Sequence, residues 1–377
     1  MLTVLFTSDY EIHGNGEGCP RELMVEPTDR MLAQFERYGA RLTLMADVAE
    51  IVKFKEYRHQ VGRDDCHYGA IVDQLRGAVR RGHDVQLHLH ASYFNSRYEQ
   101  GRWQQDWSEY NFAALEAERL NQIVRLGKDY LETLLRPVWP AYECFVFRAA
   151  NWAVSPSQNV VRALVANGIR IDTSVFKYGR RQGRVNFDYT TACSNLKPWR
   201  VDERDICRED PDGRLLEVPI YAERRRLGAF LTLQRLYRAV LSWRHRFSDA
   251  PAKGSPQPPP ARRAGGGPGR LVRLALGWHA WKADFNQCTG RQLIRALERA
   301  ERSVASTAAG RDVPFVLIGH SKLFTRFNQR SLEPFLEFVA ARPERFRFGV
   351  FGDVAAAGWC EQGGGQVAER AEGVGHG

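Results

Sequence analysis

Several apolar runs in this chain end in a residue suited to chemistry. Leu2 to Phe6 leads into Asp9 and Glu11, and the run from Asp84 to Leu89 carries His88 and is followed by His90. Cys144 to Phe147 stops at Arg148, Ile169 to Ile171 at Asp172, and Pro314 to Ile318 just short of His320. His88 and His90 are two residues apart, so on a strand both rings point to one face while Leu87 and Leu89 point to the other. Two imidazoles on one strand face can chelate a metal. A carboxylate from Asp9 or Glu11 would complete a nitrogen and oxygen donor set of the kind zinc takes when it keeps a position for water. Asp9 and Glu11 are also in phase, so one can ligate while the other takes a proton from water. Arg148, an awkward charge after four apolar or weakly polar residues, fits a bidentate clamp that keeps the carboxylate base ionised. His320 is placed to give a proton to a leaving group.

These residues can work together only if the fold gathers them. In a parallel β/α architecture the strand C-termini open on one face, which brings distant strand ends together. Strand candidates recur at 2–7, 41–46, 84–90, 144–148, 169–172, 214–219, 272–278, 314–319 and 346–351. Between them lie helical patterns: one capped by Thr28 or Asp29 and running to Tyr38, then 68–81, 111–135, 155–168, 229–246, 289–308 and 331–341. Strand and helix alternate along nearly the whole chain, so the expected fold is a single, distorted β/α barrel over 1–352. A Pro-, Gly- and Arg-rich stretch at 248–270 is expected to interrupt it as a disordered loop, and a second disordered segment is expected from Gly363 to the end.

The composition excludes some classes. With 377 residues, 44% hydrophobic and 26% charged, the chain can bury a full core, and it has no apolar run long enough to span a bilayer. Met1 leads straight into a strand candidate without a secretory pattern, and seven scattered cysteines lack a CxxC pair. A cytoplasmic protein is expected. The net charge of +10 is localised: residues 224–273 hold twelve Arg or Lys against one acid, Asp249, which leaves the remainder near neutral. With no nucleic-acid-binding motif, this pattern argues for an anionic surface and against specific nucleic acid binding. The helical pattern at 227–247 interleaves apolar residues with arginines. It fits either an outer barrel helix or a helix lying on an anionic membrane, which would place the protein peripherally at the inner membrane face.

In order and spacing the motifs resemble those of the polysaccharide deacetylases, the NodB homology fold of carbohydrate esterase family 4. Phe6-Thr7-Ser8-Asp9-Tyr10-Glu11 is similar to the first motif, whose aspartates supply the base and one metal ligand. Gln86-Leu87-His88-Leu89-His90 resembles the histidine motif, and Phe147-Arg148-Ala149-Ala150-Asn151-Trp152 the arginine motif that lines the groove. Asp172-Thr173-Ser174 resembles the following acid position, and Ile318-Gly319-His320-Ser321 the late motif carrying the acid histidine. The resemblance implies a divalent metal, usually zinc, held by Glu11, His88 and His90. It also implies Asp9 as base, His320 as acid, Arg148 beside the base, and Trp152 and Asp172 against the substrate. The implied reaction removes an N- or O-linked acetyl group from a carbohydrate, a lipid-linked sugar or a nucleotide-linked sugar.

Two positions depart from the family pattern. Tyr10 follows Asp9 where a second aspartate is usual, so either Glu11 replaces it or Asp9 is itself the ligand. Ser92 stands where a second histidine is usual, and His90 is the substitute at hand. A catalytically impaired glycan-binding member of the fold, or a hydrolase of another C–N bond, are the alternative readings. Tyr93, Phe94, Trp103 and Trp107 are candidates for stacking on sugar rings or for core packing.

Overall fold

The computed structural model describes residues 1–233, 235, 236, 277–305 and 311–360. The expected loop at 248–270, the expected tail from 363, and most of the helix expected at 229–246 lie outside the described residues. At the start of that helix, Leu227–Phe230 form a single 3-10 turn.

Strands β1 (Leu2–Tyr10), β2 (Leu42–Asp47), β3 (Asp84–Leu89), β4 (Val146–Ala149), β5 (Ile171–Asp172) and β6 (Leu216–Glu217) pair in parallel, each with the next of this set. A hairpin follows, β7 (Ala222–Arg226) with β8 (Trp278–Lys282). β9 (Val313–His320) then returns to pair in parallel with β1, and the short β10 (Phe346–Phe348) also joins β1. The sheet curls, and a single parallel bridge from Ile220, just past β6, to Val316 of β9 draws its two edges together. This is a distorted β/α barrel, as expected. An antiparallel pair, Trp199–Asp202 with Asp205–Glu209, extends the sheet beside β6.

β1, β2 and β3 are buried along their whole length, although β3 alternates and so buries Asp84, Gln86 and His88 as well. Helices α1 (Glu26–Glu36), α2 (Val48–Val61), α3 (Tyr68–Arg80), α4 (Ala117–Leu135), α5 (Gln158–Ala166), α6 (Gly290–Ala305) and α7 (Arg326–Ala340) occupy connections between the strands. A short α8 (Phe351–Ala356) begins where the strand candidate at 346–351 was expected to end. α2 has no counterpart in the expected pattern. Its buried apolar residues, Val48, Ala49, Ile51 and Phe54, crowd the first two turns, and the later turns are polar, so no apolar stripe runs along it. Asp47 caps α2, accepting from the backbone N–H of Ala49.

The aromatic core packs against the middle of β1, at Phe6. Phe6, Phe35, Phe285 and Phe335 are fully buried, with ring centroids 4.5–6.3 Å apart where they meet. Gly319 is required here, because a Cβ at that position would lie 2.1 Å from the Phe285 ring. The close approach fixes the end of β9, where the backbone N–H of His320 donates to Asn286 at 2.6 Å.

Candidate active site

The register of the sheet sets Asp9 opposite His320 on one side of β1 and carries His88 alongside Arg148 between β3 and β4. The ends of β1, β3 and β9 thus meet around one cleft of about 210 Å³. Its walls include Asp9, Glu11, His88, His90, Trp152 and His320. Of the residues expected from the sequence, these six are brought together.

Glu11, His88 and His90 form a compact set whose donor atoms all lie within 4.8 Å of one another. Glu11 Oε2 is 3.2 Å from His88 Nε2 and 3.2 Å from His90 Nδ1. The two imidazole rings are 5.1 Å apart and nearly perpendicular. His88 Nδ1 is within 2.8 Å of the Arg148 carbonyl, a contact that requires the proton on Nδ1 and leaves Nε2, which faces Glu11, as the ring nitrogen that could ligate a metal. His90 Nδ1 also lies 2.6 Å from Asp47 Oδ2, and the His90 backbone N–H donates to Asp47 Oδ1. Ser92 is buried, donates to Gln105 at 2.8 Å and does not line the cleft, so His90 is the second imidazole of the site.

Burial opposes charge on every member of this cluster, and neighbours overcome it. Burial works against protonation of His88, but Asp9 and Glu11 outweigh it and raise its pKa. His90 is raised in the same way by Glu11 and Asp47. Burial likewise works against ionisation of Glu11, which Lys322 and the two histidines nevertheless hold well below the usual carboxylate range. Lys322 Nζ lies 2.8 Å from Glu11 Oε1. The pocket therefore favours positive charge between its carboxylates, and two neutral imidazoles with one ionised carboxylate fit a divalent cation there.

Asp9 is almost fully buried and accepts from Arg148 NH1 at 2.8 Å through Oδ1. Its Oδ2 faces His320 Nε2 at 3.4 Å. Burial favours the neutral acid, yet Arg148, His88 and His320 lower its pKa, so Asp9 is ionised. Arg148 is wholly buried. It also donates to Thr7 Oγ1 at 2.8 Å and to the Thr173 carbonyl at 3.0 Å, so it stands behind Asp9 and is not part of the cleft lining. His320 is lowered, chiefly by burial, and its ring is 6.5 Å from that of Trp152.

Asp172 was expected against the substrate, but the structure places it beneath the site and outside the cleft lining. There it accepts from Ser174 Oγ at 2.8 Å and lies beside Glu217 of β6. Burial first, and then each other's charge, push Glu217 well above the usual carboxylate range, and burial also raises Asp172. Tyr93 and Trp103 are buried in the core, and neither Phe94 nor Trp107 lines the cleft.

Sequence reasoning missed Asp47, Lys322 and Asn151. Asp47 ends an apolar strand just as Asp9 and Asp172 do, so the same signal pointed to it. Lys322 carried no such signal, because its partner Glu11 is more than three hundred residues away in sequence. Asn151 and Trp152 both have positive φ, 55° and 57°, a costly conformation that turns the chain end of β4 into the cleft. Asn151 Oδ1 accepts from Arg181 NH1 at 2.9 Å and Tyr110 at 3.2 Å. Arginine can only donate, which fixes the amide orientation and leaves Nδ2 a buried donor with no partner among the described residues.

No family model matches the chain, and no curated protein matches it by sequence. Solved structures do match. A candidate glycoside hydrolase/deacetylase from Parabacteroides distasonis is 12% identical over 94% of this chain and 71% of its own, with a TM-score of 0.51. The 4-alpha-glucanotransferase of Thermococcus litoralis is 12% identical over 94% of this chain and 40% of its own, TM-score 0.49. A candidate polysaccharide deacetylase from Mycobacterium smegmatis is 13% identical over 94% and 89%, TM-score 0.46. The chain thus has the distorted β/α barrel of the NodB-type deacetylase fold.

Proposed function

We propose that this protein is a metal-dependent hydrolase that removes an acetyl group from a carbohydrate. The observation that carries the reading is the meeting, in one cleft, of the Glu11, His88 and His90 donor set with the Arg148-clamped Asp9 and with His320. Glu11, His88 and His90 would hold the divalent ion, zinc by donor type, which when bound supplies Lewis acidity at the acetyl carbonyl and acidifies water.

The chain's own residues supply the remaining chemistry. Asp9, ionised and fixed by Arg148, takes a proton from the attacking water, whose oxygen forms the bond to the acetyl carbon. The bond from that carbon to the sugar nitrogen or oxygen then breaks. The proton taken by Asp9 passes to His320, which gives it to the leaving amine or alcohol, and acetate departs. The 3.4 Å separation of Asp9 Oδ2 and His320 Nε2 supports their acting on one reacting centre. Asn151 Nδ2 is a spare donor for the acetyl oxygen, and Trp152 offers an aromatic face to the sugar ring.

Incubation with N- and O-acetylated sugars tests the reading. Acetate release by the wild-type protein that is abolished by chelation and by Asp9→Asn supports it. Hydrolysis of another C–N bond without acetate release would replace it.

A further inference from the structure

The β7–β8 hairpin stands at the rim of the cleft with two unlike faces. Its register sets Ala222 opposite Lys282, Arg224 opposite Ala280 and Arg226 opposite Trp278, and cross-strand partners share a face. The other face carries Glu223, Arg225, His279 and Trp281. It is anchored inward by the buried Trp281 and by Arg299, whose guanidinium meets Glu223 at 2.8 Å. The outward face is basic and aromatic. Arg224 lies 5.7 Å from the Tyr178 ring and 5.9 Å from that of Trp278, and Arg226 lies 5.3 Å from Trp278. Trp278 is 54% exposed, and both arginines are exposed.

The face runs into the catalytic cleft. Lys282 Nζ sits 3.3 Å above the ring of Trp152 and 4.5 Å from that of Phe176, and Trp152 borders His320. Arg181, held on Asn151, adds a further cation to the cleft wall. Among the described residues neither Arg224 nor Arg226 has an ion-pair partner, whereas the inward-facing Arg225 is paired with Glu223. A guanidinium held over an indole by a cation–π contact keeps N–H donors for a ligand, and those donors match phosphate oxygens in pairs.

We propose that the outward face of this hairpin, with Arg224, Arg226, Trp278 and Lys282, is a subsite for a phosphate or pyrophosphate group carried by the sugar substrate. The inference rests on the cleft being the catalytic site, and it makes the substrate a sugar phosphoester in place of a neutral glycan. The phosphoryl group binds on the hairpin while the acetylated ring lies over Trp152. The charge on the rim also speeds encounter with such anions.

Calorimetric titration of the full chain with inorganic pyrophosphate tests the subsite without any turnover, so its outcome stands whether or not acetate is released. Wild-type protein is expected to bind, and the exposed double variant Arg224→Gln/Arg226→Gln to bind at least tenfold more weakly, with Trp278→Leu showing a smaller loss. Three results would overturn the proposal: no pyrophosphate binding by the wild type, equal binding by the double variant, or equally tight binding of glucuronate. Arginine-dependent sedimentation with phosphatidylglycerol vesicles, without pyrophosphate binding, would also overturn it and assign the face to a membrane.

Discussion

Two pairs of carboxyl groups sit at strand ends in this barrel, both buried but shifted in opposite directions. Asp9 and Glu11, at the end of β1, are held ionised by Arg148, Lys322 and the histidines around them. Asp172 and Glu217, at the ends of the adjoining strands β5 and β6, accept from Ser174 and from the Val175 backbone, and both are raised. Arg148 separates the two pairs. It gives one N–H to Asp9 and turns its Nε to the Thr173 carbonyl, and among the described residues no cation makes an ion pair with Asp172 or Glu217. Burial alone therefore does not decide which acids can act as base or ligand, because the cations beside them do.

The largest expected effect comes from neutralising the ionised pair. Asp9→Asn keeps an acceptor for Arg148 but removes the base, and acetate-release kcat/KM is expected to fall about 10²- to 10⁴-fold in steady-state assays. Arg148→Met attacks the same pair from its other side. It leaves a buried carboxylate uncompensated, so denaturant unfolding should show a loss of about 3–5 kcal/mol. Equal stability of this variant and the wild type would remove the clamp from the explanation.

A smaller effect is expected at Asp47, which touches His90 and does not line the cleft. Asp47→Asn weakens the orientation of that ring, and divalent-metal affinity measured by competition with a chelator is expected to drop about 10- to 100-fold.

The pH dependence of stability separates the two pairs by sign. Asp9 and Glu11 have folded-state pKa values below their unfolded ones, so their contribution is present above the ordinary carboxylate range and is lost as pH falls through the lowered values. Glu217 is raised, so its contribution is full below the ordinary carboxylate range and is lost as pH rises toward its folded value. Glu217→Gln removes that second loss. Thermal melts between pH 5 and 9 should therefore fall less steeply with rising pH than in the wild type, and an unchanged slope would mean that the pair does not retain its proton.

The lowered pair was legible in the sequence and the raised pair was not. Asp9, Glu11, His88 and His90 carry the period of two that a strand imposes, and β9 ends at His320. Strand periodicity was thus enough to place all five at one end of the barrel. Asp172 carries the same strand-end signal, yet it points into the protein beside Glu217. Two-residue strands offer too little pattern to tell which way a side chain faces. Lys322 and Asn151 act through contacts across the barrel and through a left-handed backbone turn, and neither leaves a local period. The curl of the sheet, with the Ile220–Val316 bridge across it, is likewise a long-range result.

The shared cation is the central claim, and metal analysis tests it most directly. Full-length protein, dialysed against buffer after exposure to zinc, should retain about one ion per chain, and His88→Ala and Glu11→Gln should each retain far less while keeping the wild-type circular dichroism spectrum. Equal zinc in the folded variants and the wild type, or none in any of them, would contradict a metal held between Glu11, His88 and His90.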